Sequence, residues 1–244
     1  MIRPVCALVL SMILPSLGLA QEVSTRWTLD FESGLSSTRY NSARVPNPGG
    51  TDVNLASVIG RNWRPFGRIS LAYTDADQGT WKVLYAPFRQ TGTGPLTGTT
   101  SFAGQNFAPG PVNAGYQFDS YRLTYRKPWR GNWSVGANLK LRAAQIRLVQ
   151  GGTVGAERNV GLVPLLHVFG SGSLSNDIGY EIEMDGLAGG PGRAIDLSLR
   201  ATKSLGPKAT GFVGLRVLEG GADVPKVKNF AWVSYLTAGV SIKF

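Results

Sequence analysis

The sequence predicts an all-β chain closed into an antiparallel transmembrane β-barrel, of ten strands in the first instance, with eight or twelve as the alternatives. Three observations predict it. Apolar and polar residues alternate with period two in segment after segment, which puts the two sets on opposite faces of a strand. Each run fits a segment of roughly ten residues, the length a tilted strand needs to cross a bilayer. Aromatic side chains gather near the ends of the runs (Trp27, Tyr73, Trp81, Tyr125, Trp133, Phe230, Trp232 and Phe244), where a membrane–water interface favours them. No later stretch is apolar for long enough to make a spanning helix, and none sustains a helical period or a heptad.

The first segment is a leader. Residues 1–20 carry one positive charge, Arg3, then a short apolar run, then Gly18, Leu19 and Ala20 before Gln21. That is the layout of a secretory signal peptide cut after Ala20, leaving a barrel domain of 21–244. Cys6 lies inside the leader and not beside the cut, which argues against a lipoprotein. It is the only cysteine in the sequence, so the exported part has no disulfide to hold its fold. The chain is basic, with 25 Lys and Arg against 15 Asp and Glu, and rich in glycine, with 32.

The strands follow in order. Trp27, Leu29 and Phe31 alternate with Thr28, Asp30 and Glu32. Next come Ile69, Leu71 and Tyr73 against Arg68, Ser70 and Ala72, then Trp81, Val83 and Tyr85 against Lys82, Leu84 and Ala86. Tyr121, Leu123 and Tyr125 oppose Arg122, Thr124 and Arg126; Trp133, Val135, Ala137, Leu139 and Leu141 oppose Ser134, Gly136, Asn138, Lys140 and Arg142. The segment 160–169 is apolar on both faces. Beyond it, Ile178, Tyr180, Ile182 and Met184 oppose Gly179, Glu181, Glu183 and Asp185. Ile195, Leu197 and Leu199 oppose Asp196, Ser198 and Arg200, and Val213, Leu215 and Val217 oppose Phe212, Gly214 and Arg216. Phe230, Trp232, Leu236, Ala238, Val240, Ile242 and Phe244 share one face of the last strand.

Connections fix the topology. Segments 75–79, 127–132, 171–176 and 206–208 read as short turns; 37–65, 90–115, 150–159, 186–193 and 220–229 read as longer joins. Short and long alternate, so the short turns belong on the periplasmic side and the long loops outside, with both ends periplasmic. The apolar patch 53–59 reads as part of the first external loop, because a further strand there breaks the even count.

The leader, the alternating strands, the aromatic belts and a last strand ending in Phe244 together resemble the Gram-negative outer-membrane β-barrels. The resemblance covers essentially the whole exported chain. It implies a place in the outer membrane, contact with its lipid and lipopolysaccharide, and handling by the barrel-assembly machinery, for which Phe244 resembles the recognition signal.

With apolar faces toward lipid, the opposite faces line the lumen. The expected lining is acidic at Asp30, Glu32, Glu181, Glu183, Asp185 and Asp196, and basic at Arg68, Lys82, Arg122, Arg126, Lys140, Arg142, Arg200 and Arg216, with His167 among them. Ten strands enclose a narrow space, so these long side chains are expected to fill it as an ion-paired plug. The alternative is a narrow polar channel with a charged constriction.

His167, the only histidine, is the one candidate for barrel enzymology. Lipid A deacylases among the small barrels use His-x-Ser, and Phe169 stands where that serine would be. Omptin proteases use an Asp pair with an Asp–His pair near the outer rim, whereas strand parity places His167 toward the periplasmic end. The sequence therefore predicts no enzyme, no cofactor and no metal, the last because one histidine and no exported cysteine make a poor ligand set. Charge alone does not argue for nucleic acid, since no binding module is visible. Basic residues Arg39, Arg44, Arg61 and Arg64 in the first external loop suit the phosphates of the outer leaflet, with Arg158, Arg193, Lys226 and Lys228 in later loops. The Gly-, Thr- and Pro-rich loop 90–115, carrying Phe102 and Phe107, is expected to fold inward as a lid, to extend the barrel as a hairpin, or to present a surface.

Overall fold

The computed structural model describes residues 26–244, so the expected leader, with Arg3, Cys6 and the cut after Ala20, lies outside the described residues. In chain order the elements are β1 (Trp27–Arg44), β2 (Val53–Asn54), α1 (Leu55–Ile59), β3 (Arg64–Thr74), β4 (Thr80–Ala86), β5 (Arg89–Leu96), β6 (Thr100–Phe102), β7 (Gln105–Phe107), β8 (Gly110–Arg130), β9 (Trp133–Gln150), β10 (Thr153–Ser173), β11 (Ile178–Gly189), β12 (Gly192–Ser204), β13 (Ala209–Val224) and β14 (Val227–Lys243). No helix among the described residues is long and apolar enough to cross a membrane.

Antiparallel pairing runs from β1 through β3, β4, β8, β9, β10, β11, β12 and β13 to β14, and β14 closes on β1. Strands β4 and β5 are two halves of one line. Tyr85 pairs with Tyr121 and Arg89 with Gln117, so the register against β8 is unchanged across the break at Pro87, which has no N–H to donate. Ten strands therefore complete the wall. The seam is long, from Thr28↔Lys243 to Arg44↔Lys228. It ends on two backbone bonds between Trp27 and Phe244, at 3.0 and 3.2 Å. Over the height where all ten strands pair, closure leaves no free edge, which is what lets strands stand in hydrocarbon.

Inward and outward faces agree with the alternation read from the sequence. Val83, Leu123, Leu139, Leu162, Leu197 and Leu215 are exposed on the outside, while Arg122, Lys140, His167, Asp196 and Arg216 are buried within. At the end that carries the turns 75–79 and 131–132 the register sets Trp27 beside Tyr73 (ring centroids 4.8 Å apart) and Trp81 beside Tyr125 (4.4 Å). These rings form the lower aromatic belt.

The upper half corrects the expected loops. Segments 150–159, 186–193 and 220–229 are not loops. Their strands continue to two-residue turns at 151–152, 190–191 and 225–226. Strand β1 likewise runs on to Arg44, and the expected turn 127–132 shrinks to two residues because β8 reaches Arg130. β8 and β10 are 21 residues long, about twice what a bilayer requires, so the barrel stands well above the membrane. Here the outer face turns polar: Arg89, Thr91 and Thr93 on β5, Asn113 on β8, Arg147 on β9 and Arg158 on β10 are exposed. Sequence reading ended these strands at the point where their exteriors stopped being apolar.

Patch 53–59 belongs to the join after β1, but it folds into the barrel mouth and not away from it. Leu55, Ala56, Val58 and Ile59 of α1 are buried. Asn54 caps the helix by accepting from the Ser57 backbone N–H at 3.1 Å. Gly92 and Gly94 of β5 make room for it, since a Cβ on Gly92 would stand 2.2 Å from the Ile59 carbonyl oxygen. The loop 90–115 does two of the things expected of it. β5 and β8 extend the wall as a hairpin, and the β6–β7 hairpin tucks Phe102 and Phe107 inward, both at most 1% exposed. A backbone bond from Thr51 to Ser101 (2.8 Å) ties the two inserts together.

Candidate functional site

Two layers fill the lumen. The lower one is ionic and is built from inward positions of β1, β3, β4, β8, β10, β11, β12 and β13. Asp196 accepts from Arg216 at 2.6 Å and from Arg122. Arg122 also donates to Asp185 at 2.9 Å. Glu32 receives Arg200 and lies 3.5 Å from both Arg68 and Arg216. Lys82 bonds both oxygens of Glu183 at 2.9 Å. Arg200 reaches toward Glu181 (3.7 Å) and Asp30 (4.0 Å) and stacks over Phe212. Each carboxylate is thus held by guanidinium or ammonium groups in a space where an unpaired charge is costly.

Three predicted members of this network stand apart. Arg126 lies over the Phe169 ring at 3.6 Å and makes no ion pair within 4 Å among the described residues. Arg142 is held by the Asn159 side-chain oxygen. Lys140 is 2% exposed, stands 4.6 Å over the Phe118 ring, and forms no hydrogen bond or ion pair with a described residue. Net charge on a face could be read from the alternation; the pairing of individual groups across the lumen could not, because it depends on strand register and shear.

His167 is 1% exposed, and its Nδ1 is hydrogen-bonded to an Asp185 carboxylate oxygen at 2.7 Å. Its Nε2 is buried without a partner. The expectation that one histidine could not assemble a metal site needs correction, because ligand atoms of His167, Glu183 and Asp185 lie within 4.8 Å of one another. Register made the trio: His167 faces Asp185 across the β10–β11 ladder, and Glu183 follows two positions along the same inward face. Both carboxylates are already engaged, Glu183 by Lys82 and Asp185 by Arg122.

Above the ions lies an apolar layer. Phe66, Phe88 and Tyr235 meet edge to face (4.9 and 6.3 Å), and Phe88 meets Tyr116 at 6.2 Å. Val112, Ile146, Leu148 and Val233 on the wall pack with Leu55, Val58, Phe102 and Phe107 of the inserts. Thr38 of β1 donates to Gln90 of β5 at 2.6 Å, tying two wall strands, and the Ser37 hydroxyl donates to the Arg61 carbonyl at 2.7 Å, pinning the first insert to the wall.

The basic residues expected to reach out divide. Arg39 and Arg61 are exposed, and Arg39 lies over the Trp63 ring at 5.4 Å. Arg44 is paired with Asp52, whose hydrogen bond and charge raise its pKa above the ordinary guanidinium value. Arg64 is half-buried and donates to the Ile59 carbonyl at 3.1 Å. Arg193 bonds Glu219 at 2.9 Å, Lys226 bonds Glu157 at 3.0 Å, and Lys228 lies 3.5 Å from Asp223. Of the eight residues expected in loops, Arg39, Arg44, Arg64, Arg158, Arg193 and Lys228 sit on strands, Arg61 lies between α1 and β3, and Lys226 is in a turn.

A closed antiparallel ring with aliphatic and aromatic side chains outside and ion pairs inside is the reverse of a water-soluble protein. Its fold is similar to that of the outer membrane protease OmpT from Escherichia coli, with a TM-score of 0.54 and 9% identity over 93% of this chain and 99% of that one. The chain has the fold of the outer-membrane β-barrels. Weaker likenesses join this barrel to Ail, the attachment invasion locus protein of Yersinia pestis (TM-score 0.43, 8% identity, 90% and 99% covered). Neisserial surface protein A is similar at 0.37 and 13% identity, with 89% and 97% covered. At these identities the likeness concerns the fold. No protein-family model and no curated sequence matches the chain.

Proposed function

We propose that this barrel neither conducts nor catalyses, and that it works as a structural, surface-binding protein whose exposed basic rim holds the phosphates of lipopolysaccharide. The observation that carries the reading is the lumen, filled at two levels, by ion pairs below and by apolar inserts above. Ion pairs close the lower level, and the space left above them, about 400 Å³, is lined mostly by apolar groups. The lone histidine supports the absence of catalysis: it is buried, bound to Asp185, and no serine hydroxyl bonds to it among the described residues. At the rim, Arg39 over Trp63, with Arg61 alongside, offers cations and an aromatic ring to an anionic headgroup layer.

Conductance and binding test the two parts. In planar bilayers the refolded protein gives no reproducible steps; stepwise current overturns the closed-lumen reading. Lipopolysaccharide binding to the protein in detergent falls as salt rises and falls again in Arg39→Ala/Arg61→Ala. Salt-independent binding removes the basic rim from the account. A lipid product that requires His167, seen by comparing membranes carrying wild type and His167→Ala, overturns the non-catalytic reading.

A further inference from the structure

The wall is not closed over its whole height. β10 pairs with β11 only between Leu166↔Gly186 and Ser173↔Gly179. Above that point residues 153–165 of β10 bond to β9 alone, while the β11–β12 hairpin turns back at 190–191. Pro164, two positions above the last pair, has no N–H to offer a neighbour, and proline in a sheet belongs at an edge. Leu187 lies on the inward parity of β11 yet is 44% exposed, because no strand covers it. The notch opens onto a cavity of about 400 Å³, within the size range of small-molecule sites. Its lining includes Gly161, Leu162, Pro164, Leu187 and Gly192, which border the notch, and Phe118 and buried Lys140 on β8 and β9. Leu162 and Leu166, beside the opening, are 65% and 64% exposed, so the entrance faces the same hydrocarbon as the rest of the girdle.

We infer that this side cavity binds a single-chain fatty carboxylate entering laterally from the outer leaflet, with the carboxylate on Lys140 and the chain toward the notch. Charge complementarity selects the occupant. Lys140 is the buried cation that has no described carboxylate within 4 Å and no hydrogen-bond acceptor, and it lines a space whose wall is mostly apolar, the other polar members being Arg142, Asn159, Asn229 and the Arg193–Glu219 pair. A monoanion balances it. Arg142, higher in the cavity, is half-buried and already holds Asn159. The volume suits one chain and not a multi-chain lipid. Segment 160–169, apolar on both faces, acquires a reason: Val163 and Leu165 face inward next to the cavity rather than into the ion-pair network.

The test uses the refolded full barrel in neutral detergent and cis-parinaric acid, a fluorescent long-chain carboxylate. Wild type binds it saturably at one site, palmitate displaces it, and methyl palmitate and inorganic phosphate do not. Lys140→Met weakens binding at least tenfold and Lys140→Arg restores most of it. Gly161→Phe, whose added side chain enters the mouth, abolishes saturable binding while the folded barrel keeps its heat-modifiable migration. A Cβ there meets nothing closer than the Arg142 guanidinium at 3.6 Å, so the backbone tolerates the change. Non-saturable uptake by wild type, displacement by methyl palmitate as strong as by palmitate, preference for a phosphate-headed single-chain lipid, or unchanged binding in Gly161→Phe overturns the inference. None of these outcomes bears on conductance or on lipopolysaccharide binding, so this inference and the surface-binding reading fail separately.

Discussion

Below the aromatic layer of Phe66, Phe88 and Tyr235 the barrel is inside out, and above it the barrel is built like a soluble protein. On β9 the change occurs within one strand. Leu139 faces outward with Lys140 inward, and farther along Arg147 faces outward with Leu148 inward. Along β9 side-chain parity does not slip; what changes is the solvent. Hydrocarbon surrounds the lower half, so apolar groups go outside and charges pair within. Water surrounds the upper half, so it needs an ordinary hydrophobic core, and α1 with the β6–β7 hairpin supplies the material that wall side chains alone could not.

Four measurements bear on that contrast. The largest effect is expected in the ionic half. Asp196→Ala leaves Arg122 and Arg216 without their shared carboxylate and should cost about 3–5 kcal/mol in urea unfolding from detergent micelles. A loss below about 1 kcal/mol would mean that the ions do not hold the lower half together. In the apolar half, Leu148→Ala at a fully buried position should cost about 2–5 kcal/mol by the same measurement, and more protease cleavage within 97–109 should accompany it. Leu139→Arg places a charge on the lipid face and should cost about 2–4 kcal/mol. On the same strand and the same face, Val149→Arg lies in water and should change stability by no more than about 0.5 kcal/mol. Equal costs for the last two would erase the boundary between the halves.

The ring itself was legible because alternation in the sequence is a direct record of which face meets lipid. Every inward residue named from that pattern in the ionic half, from Glu32 to Arg216, lines the lumen. Strand ends were not legible above the membrane. There, a polar exterior such as Arg147 or Arg158 looks like a loop, and the apolar inward residues opposite it carry no signal of their height. The plug was half visible: 53–59 and the pair Phe102 and Phe107 stood out as apolar. Their direction could not be read, because it rests on Gly92 and Gly94 opening space across the mouth. The ion-pair partners and the notch depend on register between distant strands, which local sequence does not encode.

The rim is uneven, and that has a consequence for traffic at the cell surface. From the last shared pair, β10 climbs to Thr153 but β11 only to Gly189. At about 3.3 Å per residue and a tilt near 45°, one bank overtops the other by roughly 25 Å. The tall bank continues where the outer face is polar, at Arg147 and Arg158, while the short bank ends beside the apolar girdle. From above, a water-borne molecule meets the cap formed by α1 and the β6–β7 hairpin. The breach in the barrel's flank is open only to compounds already dissolved in fat.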